Sequence, residues 1–147
     1  MKTVVCGVGN RMRGDDAAGP MVIDELKKTD AADSDDILLL DCGHFPENLM
    51  KRILDFRPER LILIDTADLG ESPGSFRTID TDSVRKQALS THRMPLTMLV
   101  NYLRSRIEFQ LVFLGIQPKQ TGFDALVSEE CRNAVRKISR EIIEMIK

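Results

Sequence analysis

Residues 60–68, with the sequence RLILIDTAD, are the most apolar segment of the chain and decide its fold class. Four consecutive aliphatic residues with no polar position between them are typical of a strand buried on both faces of a parallel sheet. The run stops at Asp65, where a carboxylate directly follows apolar side chains. We therefore expect a central parallel strand here, with Asp65 at its carboxyl end.

Strand and helix patterns alternate on both sides of this segment. Short apolar or alternating runs predict further strands at residues 2–6, 36–43, 74–80 and 109–118, with 74–80 as a hairpin or edge strand. Helical spacing of apolar residues predicts helices at residues 21–28, 46–56, 95–106 and 128–147. Ser128 is the expected N-cap of the last helix.

This order of elements predicts a three-layer α/β/α sandwich around a mostly parallel, five-stranded twisted sheet with one antiparallel strand. We expect a single domain over residues 1–147. Sheets of this kind place their sites at the carboxyl ends of the strands. The loops that follow the predicted strands hold nearly all the unusual polar residues, so we expect the functional site at this edge.

The bulk composition excludes several classes of function. The chain has 147 residues, is 42% apolar and 30% charged, and carries a net charge of −2. Without a long basic run, it is not expected to bind nucleic acid or a membrane surface. No apolar stretch is long enough for a membrane span or a signal peptide, so we expect a cytoplasmic protein, with a monomer as the default.

The three cysteines, Cys6, Cys42 and Cys131, are odd in number and form no C-x-x-C motif. This argues against a disulfide framework or a structural zinc site. We expect all three to be buried small apolar residues. His44 lies two positions after Cys42, a spacing that would allow a nucleophile–base pair only within a turn, so we do not expect such a pair.

Residues 7–16, GVGNRMRGDD, follow the first strand, and their composition does not resemble that of a buried core segment. Their glycines permit either a tight strand-to-helix turn or the close approach of a ligand. Arg11 and Arg13 can bind an anion or an acidic partner, or can be solvated. Helix capping would explain one of the adjacent Asp15 and Asp16, and explains two carboxylates less well.

The stretch GVGNRMRGDDAAGP resembles the opening motif of the hydrogenase maturation endopeptidases. The similarity continues through CGHFPEN, IDTADLGESPGSFR, STHRMPL and FLGIQP. It implies the α/β/α sandwich and an aspartyl-type endopeptidase. The implied substrate is the large-subunit precursor of a nickel-iron hydrogenase, which loses its C-terminal extension after nickel insertion.

The resemblance also implies the site residues. Asp16, Asp65 and His92 match the family's metal-binding side chains and are the expected catalytic residues. One imidazole and two carboxylates suit nickel, zinc or cadmium with open positions. The implied metal is nickel supplied by the substrate, for which zinc or cadmium can substitute. The candidates for the substrate-facing loops are Gly7, Gly9, Asn10, Asp15, His44 and Asp68, and many members carry Thr in place of His44.

Two other functions stay open from the sequence alone. Gly7 and Gly9 after a first strand, with Asp41 ending the second, imitate a dinucleotide-binding fingerprint. Met12 occupies the position of the third glycine of that fingerprint. Asp41 lies further along the chain than the acidic residue of the fingerprint does. A nickel-binding maturation factor without catalytic activity would need the same metal ligands.

Overall fold

The computed structural model describes residues 1–80 and 96–147. These residues contain a five-stranded sheet with the strand order β2-β1-β3-β5-β4. The strands are β1 (Thr3–Val8), β2 (Ile37–Gly43), β3 (Arg60–Thr66), β4 (Phe76–Thr78) and β5 (Gln110–Ile116). All neighbours pair in parallel except β4, which is antiparallel to β5. The predicted sheet is confirmed, and β3 lies at its centre.

The helices follow the predicted order. They are α1 (Ala18–Leu26), α2 (Met50–Phe56), α3 (Leu96–Arg104) and α4 (Glu129–Ile146), with short 3₁₀ turns at Gly14–Ala17, Asp30–Asp33 and Pro46–Leu49. α1 begins earlier than predicted because the first 3₁₀ turn continues directly into it, which places Pro20 in its first turn, where a missing N–H is tolerated. Pro95, the predicted start of α3, lies outside the described residues. Among the helices described, none combines the length and apolar character that a bilayer crossing requires.

The helices cover both faces of the sheet and form two cores. Ile62 and Ile64 of β3 pack with apolar residues of α1 and α4, whereas Leu61 and Leu63 pack with those of α2 and α3. All four side chains are fully buried. The uninterrupted apolar run is thus a strand covered on both faces, and the predicted three-layer sandwich is confirmed.

α4 begins and packs as the sequence predicts. The Ser128 hydroxyl accepts a hydrogen bond from the backbone N–H of Cys131 at 3.2 Å, which makes Ser128 the N-cap. Apolar residues at helical spacing along α4 are buried against the sheet, and they are Cys131, Val135, Ile138 and Ile142.

The expectation of no disulfide was wrong. Cys6 and Cys42 form a disulfide between the neighbouring strands β1 and β2, with their Cα atoms 6.2 Å apart. The two residues are 36 positions apart in the chain, and only the parallel register, which pairs Cys6 with Leu40, brings them together. The odd number of cysteines concealed this pair. The cysteine count therefore gives no support for a reducing compartment. Cys131 is buried with a free thiol, as expected.

Candidate active site

The loops that follow β1, β2 and β5 meet at the carboxyl edge of the sheet. The Gly9 N–H donates to the carbonyl oxygen of Gly43, at the end of β2, at 2.7 Å. The Asp15 N–H donates to the carbonyl oxygen of Gln120, beyond β5, at 2.8 Å. The loops after β1, β2 and β5 are therefore connected to one another by hydrogen bonds.

Thr66, the last residue of β3, makes hydrogen bonds to both Asp16 and Asp65. The Thr66 hydroxyl donates to Oδ1 of Asp16 at 2.8 Å, and the Thr66 N–H donates to Oδ1 of Asp65 at 2.8 Å. Asp65 is completely buried and Asp16 is only 8% exposed. Oδ2 of Asp16 also accepts the backbone N–H of Asn10 at 2.9 Å. Thr66 thus contacts two buried carboxylates, one in the turn after β1 and one in β3 itself.

His92, the third residue of the expected site, lies outside the described residues. Within residues 1–80 and 96–147, no group of three or more His, Cys, Asp or Glu side chains is placed to hold a metal ion. The described part of the chain therefore supplies two carboxylates of the expected set. The role of His92 stays a prediction.

Asp15 has a different role from its neighbour Asp16. Its buried carboxylate accepts the N–H groups of Ser128, Lys119 and Gln120 at 2.6, 2.7 and 3.1 Å, and the Ser128 hydroxyl at 2.9 Å. Burial alone would raise the pKa of Asp15, but these hydrogen bonds outweigh it and lower the pKa below its ordinary value. Asp15 joins the first loop to the segment before α4, and its place among the substrate-facing candidates stays a prediction.

The glycines of the first loop allow close packing around Asp16. Gly9 has a φ of +153°, and a Cβ at this position would collide with the carbonyl oxygen of Asp16. A Cβ on Gly7 would collide with the backbone of Gly19, so Gly7 lets α1 approach β1 closely. Both contacts fit the expectation of a tight strand-to-helix turn.

Asn10 and Asp68 make local turn contacts. The Asn10 side-chain oxygen accepts the N–H of Met12 at 2.9 Å, which shapes the loop before Asp16. Asp68 is exposed, and its Oδ1 accepts the N–H of Gly70 at 3.1 Å. These are the short-range hydrogen bonds that Asn and Asp commonly make in turns.

His44 follows β2 and stacks beside Phe45, with ring centroids 4.1 Å apart. It is partly buried, whereas Phe45 is exposed. The sulfur of Cys42 is bonded to Cys6 and is not available as a thiolate nucleophile. This agrees with the expectation that Cys42 and His44 form no catalytic pair.

Arg11 is committed to contacts within the chain. Its guanidinium makes two hydrogen bonds to Asp24, at 2.8 and 2.9 Å, and an ion pair with Asp41 at 2.8 Å. Arg11 lowers the pKa of Asp24, chiefly through the hydrogen bonds. Asp41 is the acidic residue that a dinucleotide-binding module would offer to a ribose, and here it pairs with a cation of the same chain.

Thr66 is the one residue of this arrangement that the sequence analysis missed. A hydroxyl directly after a carboxylate at the end of a buried strand was the available signal. Its meaning depends on Asp16, which is 50 positions away in the chain. Sequence spacing alone gives no reason to connect the two.

Comparison with known proteins identifies the family. The family model described as hydrogenase maturation protease, HycI, matches residues 20–145. The chain is 36% identical over 143 residues to the Hydrogenase 3 maturation protease of Escherichia coli K12, covering 97% of this chain and 89% of that protein.

Solved structures agree with this relationship. The NiFe hydrogenase maturation protease HycI from Thermococcus kodakarensis KOD1 has a TM-score of 0.88 at 32% identity and covers 97% of this chain and 90% of its own. The maturating endopeptidase HybD from E. coli shares the fold, with a TM-score of 0.82 at 18% identity over 99% of this chain and 92% of its own. The resemblance found in the sequence motifs is confirmed: the chain belongs to the hydrogenase maturation protease family and is an endopeptidase of that family.

Proposed function

We propose that this protease removes the C-terminal extension from the large-subunit precursor of a nickel-iron hydrogenase after nickel has been inserted. The proposal extends the family assignment to a substrate and a cleavage event. The observation that carries it is the pair of buried carboxylates, Asp16 and Asp65, that both hydrogen-bond to Thr66 at the carboxyl edge of the sheet. Burial of a carboxylate is costly, and buried carboxylates at the edge of a sheet are typical of functional sites.

We propose that Asp16, Asp65 and His92 bind the nickel that the precursor carries. Two carboxylates and one imidazole form an incomplete ligand set for nickel or zinc, which leaves positions for donors from the substrate. The hydrogen bonds from Thr66 and Asn10 hold the Asp16 carboxylate in one orientation, as outer-shell partners of metal ligands do. The protein then recognises metal loading and positions the scissile bond in one event.

The chemistry of the proposed cleavage comes from few groups. A bound metal ion can polarise a peptide carbonyl or lower the pKa of a water molecule. A carboxylate of the chain can accept a proton from an attacking water, and the oxygens of the second carboxylate can coordinate a cation. These roles are compatible with one another, and each requires Asp16 and Asp65.

Cleavage of nickel-loaded and nickel-free precursor, read by mass spectrometry, tests the proposal. We expect the wild-type protein to cut only the loaded precursor, and the variants Asp16→Asn, Asp65→Asn and His92→Ala to cut neither. Circular dichroism of each variant checks that the fold is retained, and Asp35→Asn, which changes an exposed aspartate before β2, serves as an active control.

Other outcomes of this assay would contradict the proposal. Equal cutting of the nickel-free precursor would exclude recognition of the metal, and full activity of Asp16→Asn would exclude its role. Nickel binding without cleavage of any precursor would indicate a non-catalytic maturation factor. A large thermal shift with nucleotides would favour the dinucleotide-binding alternative.

A further inference from the structure

Three large apolar side chains are exposed on the loops beside the candidate site. Met12, Phe123 and Leu126 are 56%, 60% and 78% exposed. Met12 belongs to the loop after β1, and the other two belong to the loop after β5. Together with the neighbouring Arg13, we call these residues the loop platform. Large exposed apolar side chains on two adjoining loops are typical of a surface that binds another polypeptide.

Hydrogen bonds hold the two loops of the platform together. The Asp124 N–H donates to the carbonyl oxygen of Met12 at 2.8 Å. The Gln120 side-chain amide donates to the carbonyl oxygen of Leu126, and the buried Asp15 accepts the Gln120 N–H. Asp124 has a φ of +62°, a left-handed conformation that Asp adopts in turns more readily than most non-glycine residues. The apolar side chains are therefore presented by a constrained backbone.

The loop platform is continuous with the turn that carries Asp16. That turn, Gly14–Ala17, begins directly after Arg13. The Asp16 N–H donates to the carbonyl oxygen of Arg13 at 3.0 Å. A polypeptide bound across the platform would therefore run next to the proposed position of the scissile bond.

Arg13 gives the platform a positive charge. It is exposed, and no ion pair to it occurs within residues 1–80 and 96–147. Arg11, two positions earlier, is by contrast paired with Asp24 and Asp41. Of the two arginines in this loop, Arg13 is thus the one that can pair with a carboxylate of another molecule.

We propose that the loop platform binds the precursor segment adjacent to the scissile bond, and that this segment offers apolar side chains and a carboxylate. Met12, Phe123 and Leu126 contact the apolar side chains, and Arg13 pairs with the carboxylate. The inference rests on the proposed function, which makes the substrate a polypeptide cut beside Asp16. It assigns recognition of the segment to residues outside the metal-binding set.

Binding and cleavage of the same nickel-loaded precursor, measured separately, test this inference. For the double variant Phe123→Ser/Leu126→Ser and for Arg13→Glu, we expect Kd and KM to rise about tenfold or more with little change in kcat. Arg13→Lys should retain most of the affinity. The matched controls are Met145→Ser and Arg140→Glu, which change exposed residues of α4 and should leave both constants unchanged.

The two measurements separate failure of the inference from failure of the proposed function. If both variants bind the precursor as tightly as wild type, the inference is overturned, whether or not cleavage occurs. If only the Phe123→Ser/Leu126→Ser variant binds weakly, the assignment of Arg13 is overturned. If only Arg13→Glu binds weakly, the assignment of the apolar residues is overturned. If wild type binds but never cuts, while the variants bind weakly, the proposed function fails and the platform stands.

Discussion

Thr66 hydrogen-bonds to both carboxylates of the candidate site, and its hydroxyl makes the bond to Asp16. Replacing it with Val keeps the shape and removes the hydroxyl that donates to Asp16. Because outer-shell hydrogen bonds orient catalytic and metal-binding groups, we expect Thr66→Val to reduce kcat/KM for the precursor by about 10- to 100-fold. Steady-state cleavage of nickel-loaded precursor measures this change.

Thr66→Ser is the control because it retains the hydroxyl, and its activity should be close to that of wild type. Chemical denaturation of both variants shows whether any loss of activity reflects unfolding. A Thr66→Val enzyme with wild-type kinetics would show that the hydroxyl does not orient Asp16 for the reaction.

Asp15 contributes to stability through the hydrogen bonds its carboxylate accepts from the segment before α4. An Asn in its place would put an amide donor where donors already converge. We expect Asp15→Asn to lower the free energy of unfolding by about 2–4 kcal/mol, measured by denaturant titration. The matched variant Asp68→Asn, at an exposed turn, should change it by less than about 0.5 kcal/mol.

The same pair of proteins gives a pH test. Because hydrogen bonds lower the pKa of Asp15 below 3.8 against the effect of burial, its contribution should be complete above that pH. It should be lost as the pH falls through the lowered pKa and the carboxylate takes up a proton. The stability difference between wild type and Asp15→Asn should therefore shrink in strong acid. A difference that grows on acidification would contradict this assignment.

At the level of elements, the start of α4 is tied to the first loop by one side chain. The Ser128 hydroxyl accepts the N–H of Cys131 and lies 2.9 Å from Oδ2 of Asp15, to which it donates. We expect Ser128→Ala to lower the free energy of unfolding by about 1–2 kcal/mol, since it removes a cap and a donor to a carboxylate. The control Ser128→Thr keeps the hydroxyl and should retain most of the wild-type free energy of unfolding.

A double-mutant cycle separates the cap from the tie to Asp15. Because Ser128 and Asp15 are in direct contact, the effects of Ser128→Ala and Asp15→Asn should not add. Strict additivity in denaturant titrations would show that the hydroxyl acts only as a helix cap.

For the whole molecule, thiol counting tests the disulfide between β1 and β2. Burial raises the pKa of the Cys131 thiol to about 11, so the native oxidised protein should react with no equivalent of a thiol reagent near neutral pH. Denaturant should expose one thiol, and denaturant with reductant should expose all three cysteines. Three reactive thiols without reductant would refute the disulfide.

The order of strands and helices, the central position of β3 and the edge that carries the site were all predictable from the sequence. Each depends on a local pattern: the apolar run 60–64, the helical spacing of α4 or the polar loops after strands. Parallel sheets then assemble by few topologies, so local patterns determine the layers. The motifs around Asp16, Asp65 and His92 were also sufficient by themselves to indicate the family.

Only the tertiary structure decided which polar side chains meet. Asp15 and Asp16 are adjacent in sequence, yet one pairs with Ser128 at a separation of 113 residues and the other with Thr66 at 50. The Cys6–Cys42 disulfide likewise depends on strand register. Hydrophobic periodicity places a residue on a face of an element, but hydrogen bonds and disulfides require positions accurate to a fraction of an ångström. Those positions arise only when distant segments pack together.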